Sequence, residues 1–150
     1  MFAVEEIPEL RIVYMRRVGP YGPENVVQME KLKRWAAAND LLRADSVVMG
    51  IARDDPARTL PQHCRYDVCL VVPDDIGARD GEVEDGRLVG GRYAVRAVAH
   101  TAEGLSRTWA VLFRELADAG FGLDAARPIV ERYRPEMVAA HLCEICVPVF

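Results

Sequence analysis

The sequence predicts an α+β protein in which one β-α-β-β unit occurs twice. Three observations indicate this: two amphipathic stretches of helical period, strand-forming runs on both sides of each, and a nearly constant interval between matching positions. Arg11 matches Arg92 after 81 residues and Asp67 matches Glu144 after 77, so the two copies differ by a few loop residues. Neither half can satisfy all its strand edges alone, so we expect the halves to join into one antiparallel sheet about a pseudo-twofold axis.

The first unit has the order strand, helix, strand, strand. Residues 10–18, LRIVYMRRV, have a β-type composition and are followed by the turn-forming GPYGP. A helix is expected from Glu24 to Leu42, because apolar residues recur there at helical spacing with charged residues largely on the other side. SVVMGIA at 46–52 and RYDVCLVV at 65–72 are two further predicted strands, separated by a turn-rich segment.

The second unit repeats this order. Residues 91–99, GRYAVRAVA, form its first predicted strand, and the helix that follows should end at Gly120. RPIVERY at 127–133 and HLCEICVPV at 141–149 complete the set. The apolar face of the helix consists of Leu105, Trp109, Leu112, Phe113 and Leu116.

The whole chain should form one domain, residues 1–150, built of repeats 9–73 and 91–150 joined by an acidic linker at 74–90. The sheet should curve toward a barrel, with the two main helices covering one face. We expect the other face to leave a concave cleft near the axis, since small ligands bind in concave apolar surfaces that carry a few fixed polar groups.

The net charge of −4 is concentrated in the linker, where 74–90 hold six carboxylates and two arginines. No basic stripe remains to follow a phosphate backbone, so we expect no direct nucleic-acid contact. No apolar stretch approaches the roughly 18 residues that a membrane span requires. The first residues carry acids where a secretion signal carries basic residues, so we expect a cytoplasmic protein that does not contact the membrane.

The four cysteines do not predict a metal centre. Cys143 and Cys146 form a C-x-x-C, but in a strand two residues three apart point to opposite faces. Buried small hydrophobes are the expected role. The chain has no glycine-rich phosphate loop, and none of its histidines lies in a nucleophile motif, so we expect no metal and no cofactor.

Seven short motifs follow one another along the chain. They are RRVGPY at 16–21, GIARDDP at 50–56, RYDVCLVV at 65–72, GGRYAV at 90–95, Trp109, ERY at 131–133 and EICVPV at 144–149. Together they resemble the GyrI-like small-molecule-binding domains. These domains occur alone as DNA gyrase inhibitory proteins, and fused to DNA-binding helices in AraC-type and multidrug-responsive regulators.

The resemblance implies an SHS2-like duplicated fold with an effector pocket between the repeats. It places the family's last-strand carboxylate at Glu144. In drug-binding members of the family that acid attracts cationic, aromatic ligands. In a branch of free-standing members it assists water in opening the cyclopropane ring of DNA-alkylating natural products.

Glu144 itself is a lone acid in an apolar strand. It shares a face with Leu142 and Cys146, and it faces the cleft if the other face packs on the helices. The alternative is a carboxylate paired with an arginine such as Arg96 or Arg17. An unpartnered buried carboxylate costs several kcal/mol or shifts its pKa upward.

Five further residues are candidate ligand contacts: Trp109, Tyr133, Tyr21, Met49 and Ile51. Trp109 belongs either to the core or to an aromatic pocket wall, and Tyr133 lies either in the cleft, on one strand face with Ile129 and Glu131, or at the rim. Tyr21 is either a contact or a helix-entry residue. Met49 and Ile51 line the pocket or belong to the core. Asp67, which matches Glu144, is expected to form a structural pair.

The leading interpretation is a stand-alone effector-binding domain for a hydrophobic, planar or cationic small molecule. Glu144 would supply the charge, and Trp109 and Tyr133 the aromatic walls. A second interpretation is a cyclopropane-opening hydrolase in which Glu144 is the catalytic general base. A third is a protein-interaction role toward gyrase or a regulator, with the acidic segment imitating DNA.

Overall fold

The computed structural model describes residues 1–76 and 81–150 of the chain. Its strands are β1 (Ala3–Ile7), β2 (Leu10–Val18), β3 (Val48–Ala52), β4 (Arg65–Val71), β5 (Glu84–Leu88), β6 (Gly91–Ala99), β7 (Val130–Tyr133) and β8 (Leu142–Pro148). Its helices are α1 (Pro23–Ala38), α2 (Ala102–Asp118) and the short α3 (Pro135–Ala139). The described strands form one antiparallel sheet in the order β1-β6-β8-β7-β3-β4-β2-β5, which confirms the predicted fold class.

The predicted elements are present, with differences at some ends. The first strand of each unit has the predicted bounds, whereas α1 ends four residues before Leu42. Asp40 adopts a φ of 58°, the left-handed conformation that ends many helices, and the Asn39 side-chain amide donates to the Trp35 carbonyl at 2.9 Å. Local capping therefore ends the helix although the apolar spacing continues beyond it.

Two strands, β1 and β5, differ from the prediction. β5 lies inside the segment predicted as a linker, of which residues 77–80 are outside the described part of the chain. Both strands lie at the edges of the sheet, with the same burial pattern: mostly exposed, and buried only at the last residue. Edge strands tolerate charged residues, so sequences such as AVEEI and EDGRL lack the apolar alternation of an inner strand.

A pseudo-twofold axis relates the two halves and passes between β3 and β7. The strand order is the same when read from either edge, with each strand of one half replaced by its equivalent in the other. Gly50 pairs directly with Glu131, and the two are also equivalent positions of the repeat, 81 residues apart. The axis therefore runs through the Gly50–Glu131 pair.

Each face of the sheet carries its own core. On one face α1 packs on residues such as Val13 and Val68, and α2 packs on Ala94 and Ile145. The helix-free face is covered by a continuous apolar cluster: Ile7, Ile12, Met49, Ile51, Cys69, Leu88, Tyr93, Val95, Val130 and Cys146. The concave side of the curled sheet is thus filled by side chains of the sheet itself. The prediction of an open cleft on this side was wrong, because a packed core lies there.

Candidate functional site

A cavity of about 1080 Å³ lies on the helix face where the two halves meet. β3 and β7 are paired over three residue pairs, the last of them Gly50–Glu131. Beyond this pair, the cavity is lined by Ala52 at the end of β3 and by Ile129 just before β7. Further lining comes from the sheet, the two long helices and the loops beside them: Tyr66, Tyr21, Asn25, Trp109, Phe113 and Leu123. Its volume is large enough for a drug-sized ligand.

Three of the described acids line this cavity, and Glu131 differs from the other two, because Asp54 is paired with Arg65 and Asp55 with Arg58. Its Oε2 accepts a hydrogen bond from the Tyr133 hydroxyl at 2.5 Å, and among the described residues no arginine, lysine or histidine forms an ion pair with it. Burial raises the pKa of Glu131 above its ordinary value, and the bond from Tyr133 lowers it only in part. The cavity therefore contains a carboxylate that lacks a countercharge.

Tyr66 lies beside this carboxylate because β3 has a glycine at the axis. A Cβ built on Gly50 would stand 2.0 Å from the Tyr66 hydroxyl oxygen and 3.6 Å from Oε2 of Glu131. Burial and then the charge of Glu131 raise the pKa of Tyr66, so its hydroxyl stays protonated. Gly50 makes the space in which a tyrosine hydroxyl and a carboxylate face the same cavity.

Trp109 and Tyr21 both line the cavity. Trp109 also packs against the core under α2, so the two alternatives left open for it hold together. The Tyr21 hydroxyl donates to the backbone carbonyl of Arg65 at 2.8 Å and accepts from the backbone N–H of Asp54 at 3.1 Å, which fixes the ring beside the cavity. Tyr133 reaches the site through its hydrogen bond to Glu131, and its ring lies 5.2 Å from that of His100.

Glu144 lies on the opposite face of the sheet. Arg132 donates to its two oxygens at 3.0 and 3.1 Å, and Arg134 at 2.7 and 2.9 Å. Burial raises its pKa, but the bonds from Arg134 and Arg132 outweigh burial and leave the pKa below the ordinary value. This is the arginine-paired alternative, with other partners than Arg96 or Arg17. Its ligand role stays a prediction that this packing does not favour.

Asp67 occupies the equivalent place in the first half. It is fully buried and accepts from Arg16 at 2.8 and 3.0 Å and from Arg53 at 2.8 Å. Arg53 and Arg134 are themselves equivalent positions, 81 residues apart. Each of the two matched acids, Asp67 and Glu144, is thus the centre of an ionic cluster with two arginines. For Asp67 this is the structural ion pair that was expected.

Met49 and Ile51 lie in the core of the helix-free face, 2% and 0% exposed, and do not line the cavity. The structure therefore brings Trp109, Tyr21 and, through Glu131, Tyr133 to one site, and separates Glu144 from them. Met49 and Ile51 flank Gly50 in β3. Because side chains alternate along a strand and Gly50 faces the cavity, Met49 and Ile51 point to the opposite face of the sheet.

Glu131 and Tyr66 are the site residues that were not selected from the sequence. A usable signal was present: Ile129, Glu131 and Tyr133 alternate on one strand face, and the repeat interval of 81 pairs Glu131 with a glycine. A carboxylate that is paired with a glycine at the repeat axis has no side chain opposite it on its face of the sheet, and this leaves space beside it. Tyr66 gave no such signal, because its position depends on the pairing of β3 with β4.

The chain belongs to the GyrI-like family. The family model of the GyrI-like small molecule binding domain matches residues 1–149. The chain is 42% identical over 147 residues to YosT of Bacillus subtilis (strain 168), a protein named as a prophage-derived transcriptional regulator, with 97% of each chain covered. It is 30% identical over 123 residues to a protein named DNA gyrase inhibitor from Edwardsiella ictaluri (strain 93-146), covering 79% of this chain and 77% of that protein.

Solved structures share the fold at low sequence identity. EcmrR in its DNA complex superposes with a TM-score of 0.77 at 16% identity, covering 99% of this chain and 57% of the EcmrR chain. SAV2435 bound to tetraphenylphosphonium superposes with a TM-score of 0.59 at 11% identity, covering 100% of this chain and 94% of that one. Since one of these is a DNA complex, the expectation that this chain makes no nucleic-acid contact gains no support from them.

No helix in the described part of the chain is long and apolar enough to cross a membrane. Within the same residues, no group of three or more histidine, cysteine or acidic side chains could hold a metal ion. Cys143 and Cys146 lie in different cores on opposite faces of β8, as the alternation of a strand requires.

Proposed function

We propose that this protein binds a hydrophobic, aromatic and cationic small molecule in the cavity between its two halves. The observation that carries the proposal is Glu131, a largely enclosed carboxylate with no cationic partner in the described residues. An ionised carboxylate in such a site is costly, and a ligand cation would supply the missing countercharge.

The surroundings of Glu131 fit the apolar part of such a ligand. Trp109 and Phe113 on α2 and Tyr66 on β4 are aromatic groups lining the same cavity. Aromatic faces attract organic cations, most strongly where water is excluded. SAV2435, which has the same fold, has been solved with the organic cation tetraphenylphosphonium.

The test compares a charged ligand with its neutral isostere. We expect wild type to bind tetraphenylphosphonium and (2-naphthylmethyl)trimethylammonium, and Glu131→Gln to weaken both by about tenfold or more. The neutral isostere 2-neopentylnaphthalene should lose less than about twofold. Equal losses for the cation and the isostere would contradict the role of Glu131.

Glu144→Gln is the matched control, because it removes the other carboxylate without touching the cavity. Its affinity for both cations should stay within about twofold of wild type. If instead Glu144→Gln weakens the cations and Glu131→Gln does not, the charge that binds ligand is on the other face of the sheet.

A second function is favoured by the raised pKa of Glu131, which moves this carboxylate toward the range of a general base. It would take a proton from a water that attacks the methylene of a strained cyclopropane. The ring carbon–carbon bond breaks, its electrons pass to the conjugated dienone, and the resulting phenolate takes up the proton. Incubation with a duocarmycin-type cyclopropane should then yield the ring-opened alcohol with wild type only. If wild type leaves the substrate unchanged, the protein is not a hydrolase of this cyclopropane.

A further inference from the structure

We propose that the ligand of the cavity also carries an oxyanion, a carboxylate or phosphate, which binds Arg16 and Arg53 at the cavity rim. The inference rests on the proposed function and narrows its ligand class. The ligand would be an aromatic molecule with a cationic end toward Glu131 and an anionic end toward the arginines.

The two arginines share a single acid. Asp67 is fully buried and receives both guanidinium groups, so this cluster of two cations and one anion keeps a net charge of +1. Nη1 of Arg16 and both Nη atoms of Arg53 make no hydrogen bond within the described residues. The side chains are 37% and 28% exposed, and both line the cavity. Free guanidinium donors of this kind bind carboxylates and phosphates.

The matching cluster in the second half has no excess of positive charge. Its two arginines meet three acids, which are Glu144, Glu5 and, 3.4 Å from Arg134, Glu136. Glu144 also receives two arginines, but only Arg134 matches Arg53, whereas Arg132 stands at the place of Ile51. Arg132 donates to Glu5 of β1 as well, at 3.2 and 2.9 Å. Gly86 of β5 stands at the position equivalent to Glu5, since it pairs with Ile12 as Glu5 pairs with Tyr93. Within the described residues, no acid therefore stands at the place of Glu5 beside the cluster that borders the cavity.

The other acids near this cluster are already engaged. Asp54 forms a two-point pair with Arg65 at 2.8 and 2.9 Å, and these bonds lower its pKa to about 2. Glu84 accepts from the Tyr14 hydroxyl at 2.9 Å. Neither acid forms an ion pair with Arg16 or Arg53 within the described residues.

One ligand can reach both charges, because Glu131 and Arg53 line the same cavity. Arg53 follows the last residue of β3, and its side chain turns to Asp67 on the helix-free face, so the two charges meet the cavity at separate places. A ligand that bridges them must carry its cationic and anionic groups at separate positions.

The experiment uses tetramethylrhodamine and its methyl ester, which share one aromatic cation and differ only in a free carboxylate. We expect wild type to bind the free acid at least about fivefold tighter than the ester, by fluorescence titration. Arg53→Gln should abolish this preference while leaving ester affinity within about twofold, because Asp67 keeps Arg16. Arg134→Gln, the equivalent change in the second cluster, should keep the preference. Melting temperatures of the unliganded variants show whether each is folded.

The outcomes separate this inference from the proposed function. The anion site is overturned if wild type binds acid and ester equally, or if the preference for the acid survives Arg53→Gln. In either case, ester binding that depends on Glu131 still supports the cation site. Binding of the acid without the ester, lost in Arg53→Gln, supports the anion site and contradicts the cation role of Glu131. Binding of neither dye overturns both.

Discussion

Two glutamates, only thirteen positions apart in the chain, have opposite electrostatic surroundings. Glu144 is enclosed by two arginines, whereas Glu131 has a tyrosine hydroxyl and no cation in the described residues. The same residue type is therefore a structural anion on one face of the sheet and an uncompensated charge on the other. The pKa values of the two glutamates should therefore be shifted in opposite directions.

Glu131→Gln should stabilise the unliganded protein at neutral pH, by about 1 kcal/mol. The folded state raises the pKa of Glu131, so its favourable contribution exists below the ordinary carboxyl pKa of 4.5 and is lost as pH rises through the folded-state value. Urea unfolding at a series of pH values measures this. The stability difference between variant and wild type should grow from pH 4 to pH 8, and a difference independent of pH would contradict the unpaired state.

Glu144→Gln should destabilise the protein by about 3 kcal/mol at pH 7, because it leaves buried Arg132 short of an anion. The folded state lowers the pKa of Glu144, so its contribution is present above 4.5 and is lost as pH falls through the folded-state value. The same urea series should show the variant's deficit shrinking below pH 4.5. A deficit that is absent at pH 7 would mean that the arginine cluster does not stabilise the fold.

At the scale of elements, the site depends on the short pairing between β3 and β7. That pairing puts a glycine opposite Glu131, and the missing side chain leaves the space for the Tyr66 hydroxyl. A sheet position that is glycine for this reason is a packing requirement, since the neighbouring strand supplies the atoms that fill it.

Gly50→Ala tests that requirement. The new methyl would meet the Tyr66 ring and hydroxyl, so we expect a loss of about 2 kcal/mol in unfolding free energy and weaker cation binding. Adding Tyr66→Phe removes the closest atom and should restore part of the stability. If the double variant is no more stable than Gly50→Ala alone, the Tyr66 hydroxyl is not the group that excludes a side chain.

The inner elements could be predicted from the sequence because their apolar spacing reflects burial on the helix face. The edge strands β1 and β5 could not, since their exposed acids carry no such period. Trp109 and Tyr21 were predicted at the site from a helix stripe and a turn. Glu131 was grouped correctly with Ile129 and Tyr133 on one strand face, but that face was expected to line a cleft on the side without helices and lies on the helix side. Glu131 was not selected, because whether a buried acid meets an arginine depends on side chains from other strands.

At the scale of the whole molecule, duplication has produced two similar clusters with different net charge. Asp67 and Glu144 are each held by two arginines, of which Arg53 and Arg134 are at matching places. In the described part of the first half, Gly86 takes the place of the acid Glu5. The cavity lies beside the cluster that keeps a positive charge, and the unpaired Glu131 lies on the axis. A symmetric fold thus presents an asymmetric site with a negative interior and a positive rim.

The central claim is that Glu131 is an unpaired carboxylate which a ligand cation neutralises. The most direct measurement is a carbon-13 NMR pH titration of glutamate-labelled protein, with the Glu131 signal assigned by its absence in Glu131→Gln. The account requires a pKa above 4.5 in the free protein that falls when tetraphenylphosphonium saturates the site. An ordinary pKa, or a raised pKa that saturating ligand leaves unchanged, would contradict it.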